Sequence, residues 1–160
     1  MNLFGAMDIS ASALKAERVR AEVVASNMAN AETTRTSEGG PYRRHHVVFS
    51  AQGSGSFGQS LLQQMQVGDG ASSAGWNSAS QNSLQGGVEV SGVVEDGAPP
   101  LRRYDPQHPD AGTDGFVEYP DINPLTEMVD LMGATRSYGM NASAVQAEKS
   151  MVGTSLDLLK

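Results

Sequence analysis

The chain of 160 residues contains no cysteine, and this absence removes several kinds of protein from consideration. Disulfide frameworks and cysteine-ligated metal sites are excluded, because both depend on thiol groups. No run of about 18 consecutive apolar residues occurs, so the sequence predicts no membrane-spanning helix. The first residues do not combine a basic stretch with a following apolar stretch, and we therefore expect no ordinary secretory signal.

Aromatic and charged residues are also scarce, at 6% and 18% of the chain, whereas glycine occurs 18 times. Much of the apolar content is alanine, valine and methionine near the two ends, so the middle can hold only a small core. We therefore expect an elongated molecule. The net charge is −7, and residues 88–130 carry ten acidic but only two basic side chains. Such a surface repels phosphate backbones, which argues against a nucleic-acid partner.

The sequence contains little that could perform catalysis. His45 and His46 are adjacent on a predicted strand, so their side chains point to opposite faces. His108 lies in the acidic loop Asp105–Asp114, but the spacing of its carboxylates matches no calcium loop, and such residues are typical of turns. No nucleophile motif or phosphate-binding glycine loop is present. We predict that the chain is not an enzyme and has no cofactor and no metal site.

What the sequence does contain is an apolar stripe near each end, with members in alternating steps of three and four residues. This spacing places them on one helix face and favours winding against another helix. The members predicted to form subunit interfaces are Leu3, Met7, Leu14, Ala21, Val24, Met28, Met128, Leu131, Tyr138, Ala142, Val145, Val152, Leu156 and Leu159. The two ends could pair with each other, with other copies, or both. A helical hairpin core within one molecule is the simpler alternative.

The boundaries of both helices can be predicted. The first helix covers about residues 5–30, because glycine and proline are absent from Ala6 to Glu38, and Asn27 and Asn30 suit its end. The second begins at Asn123, an N-cap residue followed by Pro124 at the first helical position. It continues to about residue 159.

Between the helices, the pattern predicts strands at residues 42–49 and 88–95, with weaker candidates at 101–104 and 115–119. Residues 50–87 hold eight glycines and nine serines, which favours a flexible excursion. Docking of its apolar patch 61–67 and of Trp76 on a neighbour is the alternative.

These elements predict an α+β fold. We expect a helical coiled-coil core domain formed by residues 1–35 and 121–160. A β-rich middle region, residues 36–120, then contains the glycine- and serine-rich insertion.

Three short motifs resemble those of the bacterial flagellar rod and hook protein family. The first matches an Asn-x-Ala-Asn-x-x-Thr pattern in the N-terminal signature of that family. The second is a loop similar to that of a proximal-rod member, and the third begins the C-terminal helix. The matching residues are Asn27, Ala29, Asn30, Thr33, Asp105, Pro106, His108, Pro109, Asp110, Asn123 and Pro124. The resemblance covers residues 1–49 and 88–160, and Asp121 departs from it because the family usually has asparagine there.

The resemblance implies a structural subunit of the flagellar proximal rod, which self-assembles through its terminal helices into a tubular drive shaft. This shaft transmits torque and forms part of the axial export channel. The resemblance also implies export by the flagellar type III system without a cleaved signal, and a final place in the periplasmic part of the basal body.

The expected partners are other copies of the chain and other rod proteins, with the MS-ring and export-gate junction and the distal rod as neighbours. Two alternatives remain at this point. One is another rod or rod-junction subunit, and the other is an extracytoplasmic binding or adhesion module with a metal-loaded loop.

Overall fold

The structure is a computed structural model that describes residues 3–52 and 86–158. Within these ranges, two long helices come first and last in chain order and four strands lie between them, which confirms the predicted α+β class. The elements are α1 (Leu3–Ala29), β1 (His45–Gln52), β2 (Gly87–Glu95), β3 (Leu101–Tyr104), β4 (Phe116–Tyr119) and α2 (Pro124–Asp157). No helix in the described ranges is long and apolar enough to cross a membrane.

The helix ends follow from local chemistry. The side-chain oxygen of Asn123 accepts a hydrogen bond from the backbone N–H of Leu125 at 3.0 Å, and Pro124 opens α2. This confirms the predicted start. At the end of α1, the side-chain amide of Asn30 donates to the carbonyl of Ser26 at 2.9 Å. Asn27 does not cap the helix as predicted, because it still lies inside α1 and is buried.

The two helices pack against each other within one molecule. Asn27 near the end of α1 contacts Glu127 near the start of α2. Arg20, two turns earlier in α1, contacts Asp130, which lies further along α2. Since the contacts run in opposite chain directions, the helices are antiparallel.

Strands β1 and β2 form an antiparallel ribbon, in which His45 lies opposite Glu95 and a bulge interrupts the register between Val48 and Phe49. The ribbon packs along α1. Near one end, the backbone N–H of Val88 donates to the Ser12 hydroxyl at 3.0 Å. Helix α1 therefore contacts both α2 and the ribbon. Among the described elements, α2 packs against α1 alone.

Strands β3 and β4 form a second antiparallel pair, with Leu101 opposite Tyr119 and Tyr104 opposite Phe116. As an element, this pair packs against neither helix nor against the first ribbon. Val117 of β4 is buried, and so is Ile122, which follows β4 in the chain. Its position is thus set by the loops around it and not by sheet or helix packing.

The strand predictions succeed for three of the four strands to within one residue. The first strand was predicted at residues 42–49, but it begins three residues later, at His45. The backbone N–H of Tyr42 instead donates to the carbonyl of Thr33 at 3.1 Å, which holds Tyr42 in the turn that follows α1. The segment 61–67 and Trp76 lie outside the described residues.

Candidate functional site

A polar cluster joins the end of α1, the start of α2 and the start of β1. We call this the junction cluster, which consists of Asn27, Tyr42, Arg44, His45 and Glu127. The Asn27 side-chain oxygen accepts from the His45 N–H at 2.9 Å, and its amide nitrogen donates to the His45 carbonyl at 2.9 Å. These groups of His45 point away from β2, as alternate residues do in an antiparallel pair. The Asn27 side chain therefore takes the place of a neighbouring strand.

Glu127 lies at the centre of the junction cluster and is only 1% exposed. One carboxylate oxygen accepts from Nε of Arg44 at 2.7 Å, and the other accepts from the amide of Asn27 at 3.2 Å. A buried carboxylate is tolerated when it is paired and hydrogen-bonded in this way. Asp130 extends the network, at 3.4 Å from Arg20 and 3.9 Å from Arg44.

Tyr42 completes the junction cluster. Its hydroxyl lies 2.8 Å from Nδ1 of His45 and donates to the Asn27 side-chain oxygen at 3.3 Å. The family-motif residue Thr33 contributes through its backbone carbonyl, which accepts from Tyr42. Two residues of the first motif thus fasten the segment between α1 and β1.

Sequence reasoning identified Asn27 but missed Tyr42, Arg44 and the burial of Glu127. Asn27 can be identified from the sequence because it is a polar residue in a helical stretch, three positions before Asn30, the second asparagine of the first motif. In the sequence, Glu127 has only the signal of an acidic residue in the first turn of a helix, where its charge is favourable. Arg44 had no local signal, because its partner lies 83 residues away in the chain.

The second motif folds the loop between β3 and β4. The carboxylate of Asp105 accepts from the N–H of Gln107 at 3.3 Å, and His108 Nδ1 accepts from the N–H of Asp110 at 3.2 Å. Gly115 has φ of 72°, a conformation that favours glycine. These contacts confirm the turn chemistry expected of Asp105, Pro106, His108, Pro109 and Asp110. In the described ranges, no group of three or more His, Asp or Glu side chains is arranged to hold a metal ion.

Asp110 also connects this loop to the segment that follows α1. It accepts a hydrogen bond from the Thr34 hydroxyl at 2.8 Å and lies 3.8 Å from the guanidinium of Arg35. The second family motif is therefore in contact with the segment that directly follows the first, although 76 residues separate Thr34 from Asp110.

A hydrogen bond between two partly exposed side chains marks the point where the chain leaves β2. His46 Nε2 lies 3.2 Å from an Asp96 carboxylate oxygen. This hydrogen bond lowers the pKa of Asp96 below its ordinary value, and the backbone N–H of Ala98 adds to the effect. Both groups are solvent-accessible, so the pair contributes little to stability.

The predicted stripe residues occupy three environments. Val24 is buried. The half-buried members are Met7, Leu14, Ala21, Met28, Leu131, Ala142, Val145 and Val152. The exposed members are Met128, Tyr138 and Leu156. Leu159 and the Leu3 side chain lie outside what the structure describes. Ala16 of α1 and Ala134 of α2 are buried, although both are outside the predicted stripes.

Helix α2 carries a second apolar face that the stripe analysis missed. We call it the outer row, which consists of Leu125, Val129, Met132, Arg136 and Met140. Its four apolar members are between 57% and 70% exposed. Leu125 lies two positions before the buried Glu127, and Met132 lies two positions before the buried Ala134. Two positions correspond to about 200° around a helix, so the outer row points away from these buried residues. A helix that is apolar on opposite faces is typically covered on both, so the outer row is the strongest candidate association surface.

Comparison of the sequence with known protein families shows the class of protein to which this chain belongs. Residues 7–35 match the sequence family described as "Flagella basal body rod protein", and residues 113–158 match "Flagellar basal body rod FlgEFG protein C-terminal". These two ranges contain nearly all of α1 and α2. The chain therefore has the two terminal regions of a flagellar basal-body rod protein.

The relatives narrow this class to one family. The chain is 42% identical to flagellar basal-body rod protein FlgC of Bacillus subtilis, over the full length of both chains. It is 31% identical to FlgC of Borreliella burgdorferi over 100% of this chain and 99% of the relative. It is also 34% identical to FlgC of Salmonella typhimurium over 99% and 98%. The chain belongs to the FlgC family of flagellar basal-body rod proteins. It is a structural rod subunit of the flagellar basal body, where it assembles with other rod proteins, and it is not an enzyme.

Proposed function

We propose that this chain is a proximal-rod subunit that self-assembles through its terminal helices, with the outer row of α2 as one of its contact surfaces. The observation that carries the proposal is the outer row itself, because four large apolar side chains lie exposed along one line of α2. Burial of each would contribute about 1.5–3 kcal/mol. Contacts between copies can supply that burial.

The glycines of α2 support the same proposal. Gly133, Gly139 and Gly153 each cost roughly 1 kcal/mol of helix propensity relative to alanine. A Cβ atom added at any of them would meet nothing within 4 Å. The glycines thus have no packing role within the described molecule, whereas in a rod they would let a neighbouring backbone approach.

In this proposal, residues 1–35 and 121–160 form the helical core of the rod, in which the stripe members pair as coiled coils. Residues 36–120 form a middle region attached to that core. The junction cluster and the Thr34–Asp110 contact support this division, because they connect the middle region to the helices at defined points. The family-motif residues then act in positioning the middle region.

The resemblance to proximal-rod proteins supports the wider setting. The assembled subunits would line part of the axial export channel and transmit torque through the periplasmic rod. The MS-ring and export-gate junction and the distal rod would be the neighbours. The chain would reach this place through the flagellar type III system without a cleaved signal.

The proposal can be tested by placing a charge in the outer row. We expect Met132→Asp to leave the free chain folded, because Met132 is 62% exposed and a surface substitution changes stability by about 0.5 kcal/mol or less. The same variant should abolish rod assembly and swimming, since it buries an unpaired carboxylate between subunits. Circular dichroism, urea unfolding and swimming in a strain carrying only the variant are the measurements.

Val94→Asp provides the matched control. Val94 is a similarly exposed apolar residue, at 53%, but it lies on the β1–β2 ribbon and outside α2. Cells with Val94→Asp should keep swimming. Normal swimming of the Met132→Asp strain would contradict the assembly role of the outer row.

A further inference from the structure

The methionines of the two helices lie in different environments. Those of α1 are half-buried, whereas those of α2 are between 49% and 62% exposed. The α1 residues are Met7 and Met28, and the α2 residues are Met128, Met132, Met140 and Met151. Met132 and Met140, at 62% and 61%, are the most exposed methionines of the described ranges, and both belong to the outer row.

The thioether groups of methionine are the only sulfur groups in this chain, which has eight methionines and no cysteine. Two-electron oxidants such as hydrogen peroxide convert an accessible thioether to a sulfoxide. In a chain without thiols, oxidation at sulfur therefore falls on methionine alone. Exposure places Met132 and Met140 first among the described methionines.

Oxidation would change the outer row from an apolar surface to a polar one. Each sulfoxide carries an oxygen that accepts hydrogen bonds, and water satisfies this oxygen while the side chain is exposed. The free chain should therefore keep its fold. Between two subunits the same oxygen would be buried without water, which is unfavourable for any polar group that lacks a partner. Sulfoxides are known to disrupt methionine-rich interfaces for this reason.

We propose that Met132 and Met140 are oxidation sites through which peroxide prevents a free chain from entering the rod. This inference rests on the proposed assembly function and names a regulation of the outer row. In the reaction, the lone pair of sulfur attacks one peroxide oxygen, so that an S–O bond forms and the O–O bond breaks. The hydroxide that leaves takes the proton of the transferred oxygen and becomes water. Sulfur loses two electrons and peroxide gains two.

The regulation acts on the chain before it assembles. In the free chain both sulfur atoms belong to exposed side chains, whereas a neighbouring subunit packed on the outer row would shield them. Reduction of the sulfoxide returns the thioether and with it the apolar surface. A temporary oxidation would therefore delay assembly without destroying the subunit.

The sites can be located on the purified chain with dilute hydrogen peroxide and mass spectrometry of its peptides. Sulfoxide should form at Met132 and Met140 at least about fivefold faster than at Met7 and Met28, which serve as controls within the same molecule. The circular dichroism and urea midpoint should not change as Met132 and Met140 react. Equal rates at all four residues, or unfolding that accompanies the reaction, would overturn the proposal.

The effect on assembly can be measured in cells that lack methionine sulfoxide reductases and from which another rod protein is withheld. The chain accumulates unassembled, peroxide is added and removed, and the missing protein is then supplied. Chains recovered from rods should contain at least about fivefold less sulfoxide at Met132 and Met140 than chains left unassembled. Equal sulfoxide content in the two fractions would overturn the proposal.

A variant without the two thioethers provides the matched comparison. Met132→Leu combined with Met140→Leu keeps both positions apolar, and Met7→Leu combined with Met28→Leu is the control on α1. Rod yield after the peroxide treatment is divided by the untreated yield of the same strain. The unmodified chain and the α1 control should both lose at least about fivefold, whereas the outer-row variant should lose less than about twofold. Equal losses in all three strains would overturn the proposal.

These outcomes separate the oxidation sites from the assembly function. Oxidised chains that enter rods freely, together with a Met132→Asp strain that does not swim, would contradict only the regulation. Swimming by the Met132→Asp strain would contradict the role of the outer row in assembly, and with it the basis of this inference.

Discussion

Helices α1 and α2 are both long and rich in small apolar residues, yet they differ in how many neighbouring elements they contact. Helix α1 packs against α2 on one side and against the β1–β2 ribbon on another, and its Ser12 and Asn27 bond directly to strand backbone. Among the described elements, helix α2 packs against α1 alone, and its outer row is exposed. The difference teaches that the fold depends mainly on α1, whereas α2 retains the surface that suits association.

The sequences of the two helices agree with this division. Between Ala6 and Ala29, α1 contains neither glycine nor proline, so its helical conformation has little intrinsic cost. Helix α2 contains three glycines. An isolated helix of that composition is marginal and draws its stability from packing. Packing on both faces, inside the molecule and between molecules, would supply this stability.

The largest expected effect comes from the buried carboxylate of Glu127, near the start of α2. Arg44→Met removes the main partner of the Glu127 carboxylate and leaves a buried charge held only by Asn27. We expect a loss of about 3 kcal/mol in the free energy of unfolding, because breaking a buried ion pair costs about 3–5 kcal/mol. Urea unfolding of the purified chain measures it.

Arg102→Met is the matched control for Arg44→Met. Arg102 pairs with Glu118 at 3.7 Å, and both side chains are about half or more exposed. Loss of such a surface pair costs about 1 kcal/mol or less. Equal urea midpoints for the two variants would show that Glu127 is not held as the structure describes.

A smaller effect is expected from the α1 side of the same cluster. Asn27→Leu leaves the N–H and carbonyl of His45 without their partner and removes one donor from Glu127. We expect a loss of about 2 kcal/mol, since each unsatisfied buried group costs about 1–3 kcal/mol and the added apolar burial offsets part of this.

Asn30→Ala serves as the comparison for Asn27→Leu, because among the described residues the Asn30 side chain bonds only to the Ser26 carbonyl at the end of α1 and to Thr33. We expect it to cost less than about 1 kcal/mol. Amide exchange at the N–H of His45 should also accelerate in Asn27→Leu and remain unchanged in Asn30→Ala. Protected exchange at His45 in Asn27→Leu would argue against the strand-like role of Asn27.

The smallest change in the stability of the free chain is expected from Gly139→Ala, a substitution that distinguishes folding from association. Gly139→Ala meets no atom within 4 Å in the described molecule, so it should stabilise α2 by up to about 1 kcal/mol. In the rod, the added methyl group would lie where a neighbour is expected to approach. We therefore expect a higher urea midpoint together with weaker swimming.

Gly40→Ala gives the contrast for Gly139→Ala. Gly40 also has open space around it, but its φ of 83° strains any other residue, so this variant should lower the urea midpoint. Unimpaired swimming with Gly139→Ala would show that no neighbour packs closely against that part of α2.

Much of the architecture is determined by residues that affect only the conformation of their neighbours in the chain. The start of α2 follows from Asn123 and Pro124, whose effects reach only the next few residues. The alternating valines of β2 and the turn chemistry of the Asp105–Gly115 loop are local in the same sense. The motif around Asn27 and Asn30 also sufficed to indicate the flagellar rod family.

What the tertiary structure alone decided depends on residues far apart in the chain. Asn27 could be read as a cap or as a buried bridge, and its contact with Glu127, one hundred residues away, selects the bridge. Seven-residue periodicity predicted one interacting stripe on α2. The helix has two apolar faces, and only packing on α1 determines which of them remains exposed. Local patterns specify the conformation of each segment, but the choice between equivalent faces is made by the packing energy of the whole molecule.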